Sequence, residues 1–164
     1  MIELAGLLSE VRACQHCAAE LPHAPRPVLQ LGSTARILIA GQAPGARVQE
    51  SGLPFADASG DRLREWMGVD DSCFYDPARI AILPMGFCFP GRGKSGDLPP
   101  RPECAPLWRE PLLEQLPQLR LSLLIGRYAL DWHLPAERGH SLTDTVRRWR
   151  DYAPAVLPMP HPSP

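Results

Sequence analysis

A chain of 164 residues with 45% hydrophobic and 21% charged residues is long enough to bury a core, and its formal net charge of -1 gives no bulk electrostatic argument for nucleic-acid binding. It contains no run of about 18 apolar residues able to span a bilayer. The opening "MIELAGLLSEVRACQHC" carries acids early and no small-residue cleavage site after an apolar stretch, so it does not read as a secretory signal. One cytoplasmic domain over residues 1–164, monomeric and without a membrane partner, is the expectation.

Leu4, Leu7, Leu8 and Val11 share one face of a predicted helix over Leu4–Arg12. "ELPHAPRPVLQLGSTA" is too rich in proline for regular structure and reads as a long connection. Arg36–Ala40 is a buried strand stopped by Gly41. "SGDRLREWMGV" predicts a helix that Ser59 caps, with Leu63, Trp66 and Met67 on one side. "RIAILPM" is a second strand, and "CAPLWREPLLEQLP" a helix broken or started by Pro111. "LSLLIG" is a third strand that also stops at glycine, "SLTDTVRRWRDY" a capped helix, and "AVLPMP" the last strand. Nearly all-apolar strands alternating with helices predict an α/β fold, a three-layer α/β/α sandwich around a mostly parallel four-stranded sheet. Such sheets bind ligands at the carboxyl ends of their strands, which draws Gly41, Met85, Gly126 and the "MPHPSP" tail to one edge.

The loop after the first strand, "GQAPG", has two glycines that let backbone approach a flat or charged ligand, and Pro44 to stiffen the turn. It is neither the dinucleotide fingerprint nor a phosphate loop. A plain strand-to-helix turn is the alternative. Two further stretches give it context: "GLPFADASG" follows closely, and "PHPSP" closes the chain. In that order the motifs resemble those of the uracil-DNA glycosylase superfamily, and most closely its iron–sulfur branch of prokaryotes.

The resemblance implies the superfamily's fold and a DNA glycosylase of base excision repair. Its partner would be DNA containing a deaminated base, with uracil or a related base removed by hydrolysis of the N-glycosidic bond. Such an enzyme takes the base out of the stack and reads it in a tight pocket. By the same resemblance Phe55 is the platform under the flipped base, and His161 donates a hydrogen bond to the departing base. Ser163 holds the loop or contacts a phosphate, and Gly41, Gln42 and Ala43 face the base or the water. The chain also departs from the pattern. Gln42 stands where the iron–sulfur branch has Glu, and glutamine orients but does not act as a base. Ala43 stands where the best-known branch has Asp. Asp57 is then the candidate for handling water, with capping of the next helix as the competing reading. Several branches read uracil with an asparagine near the position of Pro84, and this chain has no asparagine. Backbone groups of Met85, Gly86 or Phe87 are the substitutes. A catalytically inactive nucleic-acid or nucleotide-binding protein on the same fold is the second reading, and an enzyme of free nucleosides the third.

Of the five cysteines, Cys14-x-x-Cys17 presents two thiolates from one turn, suited to zinc or an iron–sulfur cluster, while Cys88 and Cys104 bracket a long irregular loop. The resemblance implies that these four hold a [4Fe–4S] cluster, with zinc the alternative and Cys73 left to the core. Arg92, Lys94 and Arg101 in that loop would face a DNA backbone. The cluster of Arg147, Arg148 and Arg150 reads as a solvated face or a second phosphate contact. In the family a wedge segment and a closing helix follow the His-Pro-Ser loop, so a chain ending at Pro164 is expected to be truncated there, with single-stranded DNA the easier substrate.

Overall fold

The computed structural model describes residues 3–163. In chain order its elements are α1 (Leu4–Arg12), β1 (Ile37–Ala40), α2 (Ala46–Ser51), α3 (Ala58–Met67), α4 (Asp71–Phe74), β2 (Ile80–Ile82), β3 (Arg92–Gly93), β4 (Gly96–Asp97), α5 (Cys104–Glu114), β5 (Leu121–Ile125), α6 (Arg127–His133), α7 (Leu142–Arg147) and β6 (Val156–Met159). Short 3-10 turns lie at Ala18–Glu20, Pro135–Glu137 and Trp149–Asp151. Four strands form one parallel sheet in the order β2-β1-β5-β6, and β3 pairs with β4 as a separate antiparallel hairpin.

Alternation along β1 builds the layers. Leu38 joins Ala81 and Leu83 on one face, covered by Leu7 and Val11 of α1 and by Leu112 of α5. Ala40 and Leu124 look the same way, toward Ala129 and Leu130 of α6. Ile39 belongs to the other face with Ile80, Ile82, Leu123 and Ile125, under Leu63 of α3 and Phe74 of α4. Leu38, Ile39 and Ala40 are all fully buried. A strand covered on both faces must be apolar at every position, which is why β1 reads as a continuous run. The fold is thus α/β, with a four-stranded parallel sheet between helices.

Three element boundaries differ from expectation. Asp57, not Ser59, caps α3: its Oδ1 accepts the Gly60 N–H at 2.8 Å, and Ser59 falls inside the first turn. Helix α5 runs through Pro111. Proline forfeits the bond to the Leu107 carbonyl, and Leu107 lies on the solvent side of the helix. Helix α7 starts on its cap, Ser141, but stops at Arg147 and gives way to the 3-10 turn. Continuing the helix would stack Arg147 and Arg150 as like charges one turn apart.

Candidate functional site

A pocket opens where the carboxyl ends of the sheet strands converge, and its wall includes Gly41 after β1, Pro84 after β2, Ile125 of β5 and His161 after β6. Gln42, Ala43, Phe55, Asp57 and Asp97 complete the part that carries chemistry. The glycine loop is tied to the segment after β2: the Met85 N–H donates to the Gly41 carbonyl at 2.9 Å, and the Gly86 N–H to the Gln42 carbonyl at 3.0 Å. These bonds continue the pairing beyond the last strand residues and fix the loop at the pocket wall.

Phe55 is fixed from several sides. Its φ of +58° is the one positive value at a non-glycine among the described residues, a costly conformation for an aromatic. Its carbonyl accepts from Arg64 Nη1 at 3.1 Å, and the neighbouring Pro54 carbonyl accepts from the Tyr75 hydroxyl at 2.8 Å. Arg64 is itself buried, ion-paired to Asp61 at 2.8 Å and Asp71 at 3.0 Å, with its guanidinium 4.9 Å from the Phe74 ring centroid. Two glycines make the room. A Cβ at Gly60 would collide with the Phe55 carbonyl, and one at Gly41 would press on the Phe55 ring at 3.4 Å. The ring therefore lies against the strand end with its position set by backbone contacts.

His161 stands at the pocket mouth, open to solvent on one side. Its Nδ1 accepts the Ser163 N–H at 3.1 Å, which assigns the ring proton to Nε2. Loss of hydration against the protein lowers its pKa below the ordinary histidine value, an effect the Asp57 and Asp97 carboxylates oppose. At neutral pH the ring is a neutral Nε2–H donor. Ser163 serves this loop through its main chain, since its carbonyl also accepts from Arg62 Nη1 at 3.2 Å.

Other expected residues are placed elsewhere. Met85 is buried in the core with Ala40 and Leu124, and its side chain does not line the pocket. Of the backbone groups expected to replace the missing asparagine, the N–H donors are already used: Met85 and Gly86 on the glycine loop, and Phe87 on Cys104 Sγ at 3.4 Å. The Pro84 carbonyl is taken as well, by Arg109 Nη1 at 3.1 Å. Arg101 lines the cysteine pocket, with Nη2 held by Glu103 at 2.8 Å beside Cys17. Arg92 and Lys94 project from the β3–β4 hairpin, whose Asp97 reaches the pocket. Arg148 is engaged by Glu137 at 2.7 Å, and Arg150 stacks on Trp149 with its guanidinium 4.6 Å from the ring centroid. Both lie ahead of β6, at the end of the sheet remote from the pocket.

Asp97 is the pocket residue that reading the sequence missed. Its signal was present: Gly93-Lys94-Ser95-Gly96 is the turn composition of a tight hairpin, which would project its flanking residues as a unit.

A second pocket brings Cys14, Cys17, Cys88 and Cys104 together. They come from the turn after α1, the loop after β2 and the first residue of α5. All are free thiols. Burial foremost, with a contribution from the neighbouring sulfurs, pushes Cys88 up to about 11 and Cys104 up to about 12. Cys17 is also raised, by burial first, and its Sγ lies 3.6 Å from Glu103 Oε2. Among the described residues no three His, Cys, Asp or Glu side chains are gathered tightly enough to hold a single metal ion. Cys73 sits apart, on α4 itself, packed against the core that Leu63 and Phe74 share.

The family model of the uracil DNA glycosylase superfamily matches residues 29–164. The match takes in the glycine loop, Phe55, Cys88, Cys104 and His161, and it begins after Cys14 and Cys17. Members of this superfamily are in general DNA glycosylases, and the pocket here lies where the fold places its ligand. With more than four-fifths of its length matched, the chain belongs to the uracil DNA glycosylase superfamily.

Proposed function

We propose that the protein is a DNA glycosylase that removes uracil or a related deaminated base by hydrolysing its N-glycosidic bond. One observation carries the reading: a neutral His161 with its proton on Nε2 shares a pocket with the rigidly held ring of Phe55. A base stacked on Phe55 would present its edge to that donor. As the bond to the sugar breaks, negative charge grows on the base and positive charge on the sugar. A preoriented neutral donor stabilises the first, and the Asp57 carboxylate, anchored by its cap, supplies charge against the second. Gln42 has a side chain able to orient water or the base, while Gly41 and Ala43 let backbone approach. Lys94 and Arg92 on the hairpin would meet phosphates.

Four thiols from three chain segments, in one largely apolar pocket and free of disulfides, fit an iron–sulfur cluster. A single zinc would draw the four sulfurs to about 2.3 Å of one centre, whereas a cluster spreads its ligands over four irons, and zinc is the alternative for the same four ligands. Cys14, Cys17, Cys88 and Cys104 would hold a [4Fe–4S] group, whose chemistry there is to deprotonate the thiols and join the segments. It lies in a pocket separate from the base.

The test is to incubate the protein with single- and double-stranded oligonucleotides carrying uracil, hypoxanthine or xanthine and score abasic sites. Cleavage of one base is expected, falling at least about a hundredfold in His161→Ala, the size of loss seen when one such donor is removed. A second reading, a binding protein on the same fold, is favoured by Gln42 and Ala43 standing where relatives carry carboxylates. It predicts salt-dependent DNA affinity with no cleavage of any substrate.

A further inference from the structure

Hydrolysis needs a group to take the proton of the attacking water, and the glycine loop of this chain offers none. Two carboxylates reach the pocket. Asp57 has committed Oδ1 to the Gly60 N–H, where it caps α3. Asp97 is differently placed. Among the described residues its carboxylate accepts no hydrogen bond, and only Arg92 Nε stands opposite Oδ1, at the 4.0 Å outer limit of an ion pair. Oδ2 points the other way, toward the glycine loop, 3.5 Å from where a Cβ on Gly45 would sit. Lys94, the sole lysine, lies exposed at the turn of the hairpin, while Arg92 and Asp97 face each other across it and Asp97 brings its carboxylate to the pocket that His161 also lines.

Resting on the glycosylase reading above, the geometry points to Asp97 as a catalytic residue, the carboxylate that accepts the proton of the attacking water. The water oxygen forms the new bond to C1′ of the sugar as the bond from C1′ to the base nitrogen breaks. The bonding pair leaves with the base, whose growing charge is met by the Nε2–H of His161. The water proton passes to Asp97 and on to solvent, and the departing base takes a proton from solvent in turn. A carboxylate beside the histidine serves both ends of this exchange: it draws the proton from water, and its charge opposes the positive sugar. The titratable groups around it are the charged Arg92 on its own hairpin and Asp57 at the start of α3, and the neutral His161 after β6.

The experiment separates chemistry from binding. Single-turnover cleavage of the base that the wild type removes is compared in the full chain and in Asp97→Asn and Asp97→Ala. Affinity is measured in parallel with an oligonucleotide whose target sugar carries a 2′-fluorine, which resists cleavage. The expected result is a rate loss of about a hundredfold or more in both variants, with affinity within about twofold of wild type and an unchanged far-ultraviolet dichroism spectrum. A rate within about threefold of wild type overturns the role of Asp97 and leaves the glycosylase reading standing, as does a rate loss fully matched by lost affinity. A wild-type chain that cleaves no deaminated base overturns the glycosylase reading, and the role of Asp97 falls with it.

Discussion

Arg109 and His133 form a buried pair that bears directly on the pocket wall. Arg109 is 1% exposed; its Nη1 holds the Pro84 carbonyl, and its Nε and Nη2 both lie 3.0 Å from His133 Nε2. A ring nitrogen facing a guanidinium must be an acceptor, so His133 is neutral. Burial and the arginine charge push its pKa from 6.5 down to about 3, and burial lowers that of Arg109 to about 10. The sign of the consequence follows from linkage. Between about pH 3 and pH 6.5 the unfolded chain binds a proton that the folded ring refuses. The stability this gives is complete above pH 6.5 and is withdrawn as pH falls, by up to about 1.4 kcal/mol per unit. Urea midpoints at pH 7, 5 and 4 are therefore expected to fall for the wild type, and to fall less steeply for His133→Gln, whose amide oxygen accepts from Arg109 without titrating.

Among the elements, α3 is where a sequence motif and a structural role meet in one residue. Asp57 caps the helix and also lines the pocket. Asp57→Ala should cost about 1 kcal/mol through loss of the cap, and Asp57→Asn should restore most of it, because asparagine caps about as well as aspartate. Chemical denaturation of the two variants checks this, and a full loss in Asp57→Asn would show that charge rather than the cap bond stabilises the helix. Periodic and continuously apolar elements were legible: α1 follows the spacing of Leu4, Leu7, Leu8 and Val11 to the residue, and β1 and β5 follow their apolar runs. The short elements α2, α4, α6 and the β3–β4 hairpin were not legible, because they carry no unbroken apolar run and so few residues complete no hydrophobic period. The same limit decided the site. Gly41, Gln42, Ala43, Phe55, Asp57 and His161 sit on motifs and meet in the pocket, whereas Asp97 arrives on a hairpin with no periodic pattern. Met85 turned elsewhere than expected for another reason: which way a side chain points depends on neighbours distant in sequence, here the core around Ala40 and Leu124.

For the whole molecule, the question is what the four cysteines add to a chain that already buries a two-sided sheet. Small domains held by a structural metal unfold without it because they lack a core. Here both faces of the sheet are covered by residues outside the cysteine pocket, with Leu63 and Phe74 on one side and Leu112 and Leu130 on the other. The proposed cluster would instead tie the turn after α1 to the loop after β2 and to the start of α5, joining segments some seventy residues apart between Cys17 and Cys88. Closing so long a loop removes conformational freedom from the unfolded chain, and without a metal the free cysteines make no covalent link between these segments. Two consequences can be measured together. Protein prepared without oxygen should carry about four irons per chain with matching sulfide; one zinc and no iron would contradict the cluster. Stripping the metal with a chelator should lower the melting temperature while keeping a cooperative transition and the dichroism of the folded sheet. Cys104→Ser should behave as the stripped protein does, and Cys73→Ser should retain its iron, since Cys73 lies apart from the other four.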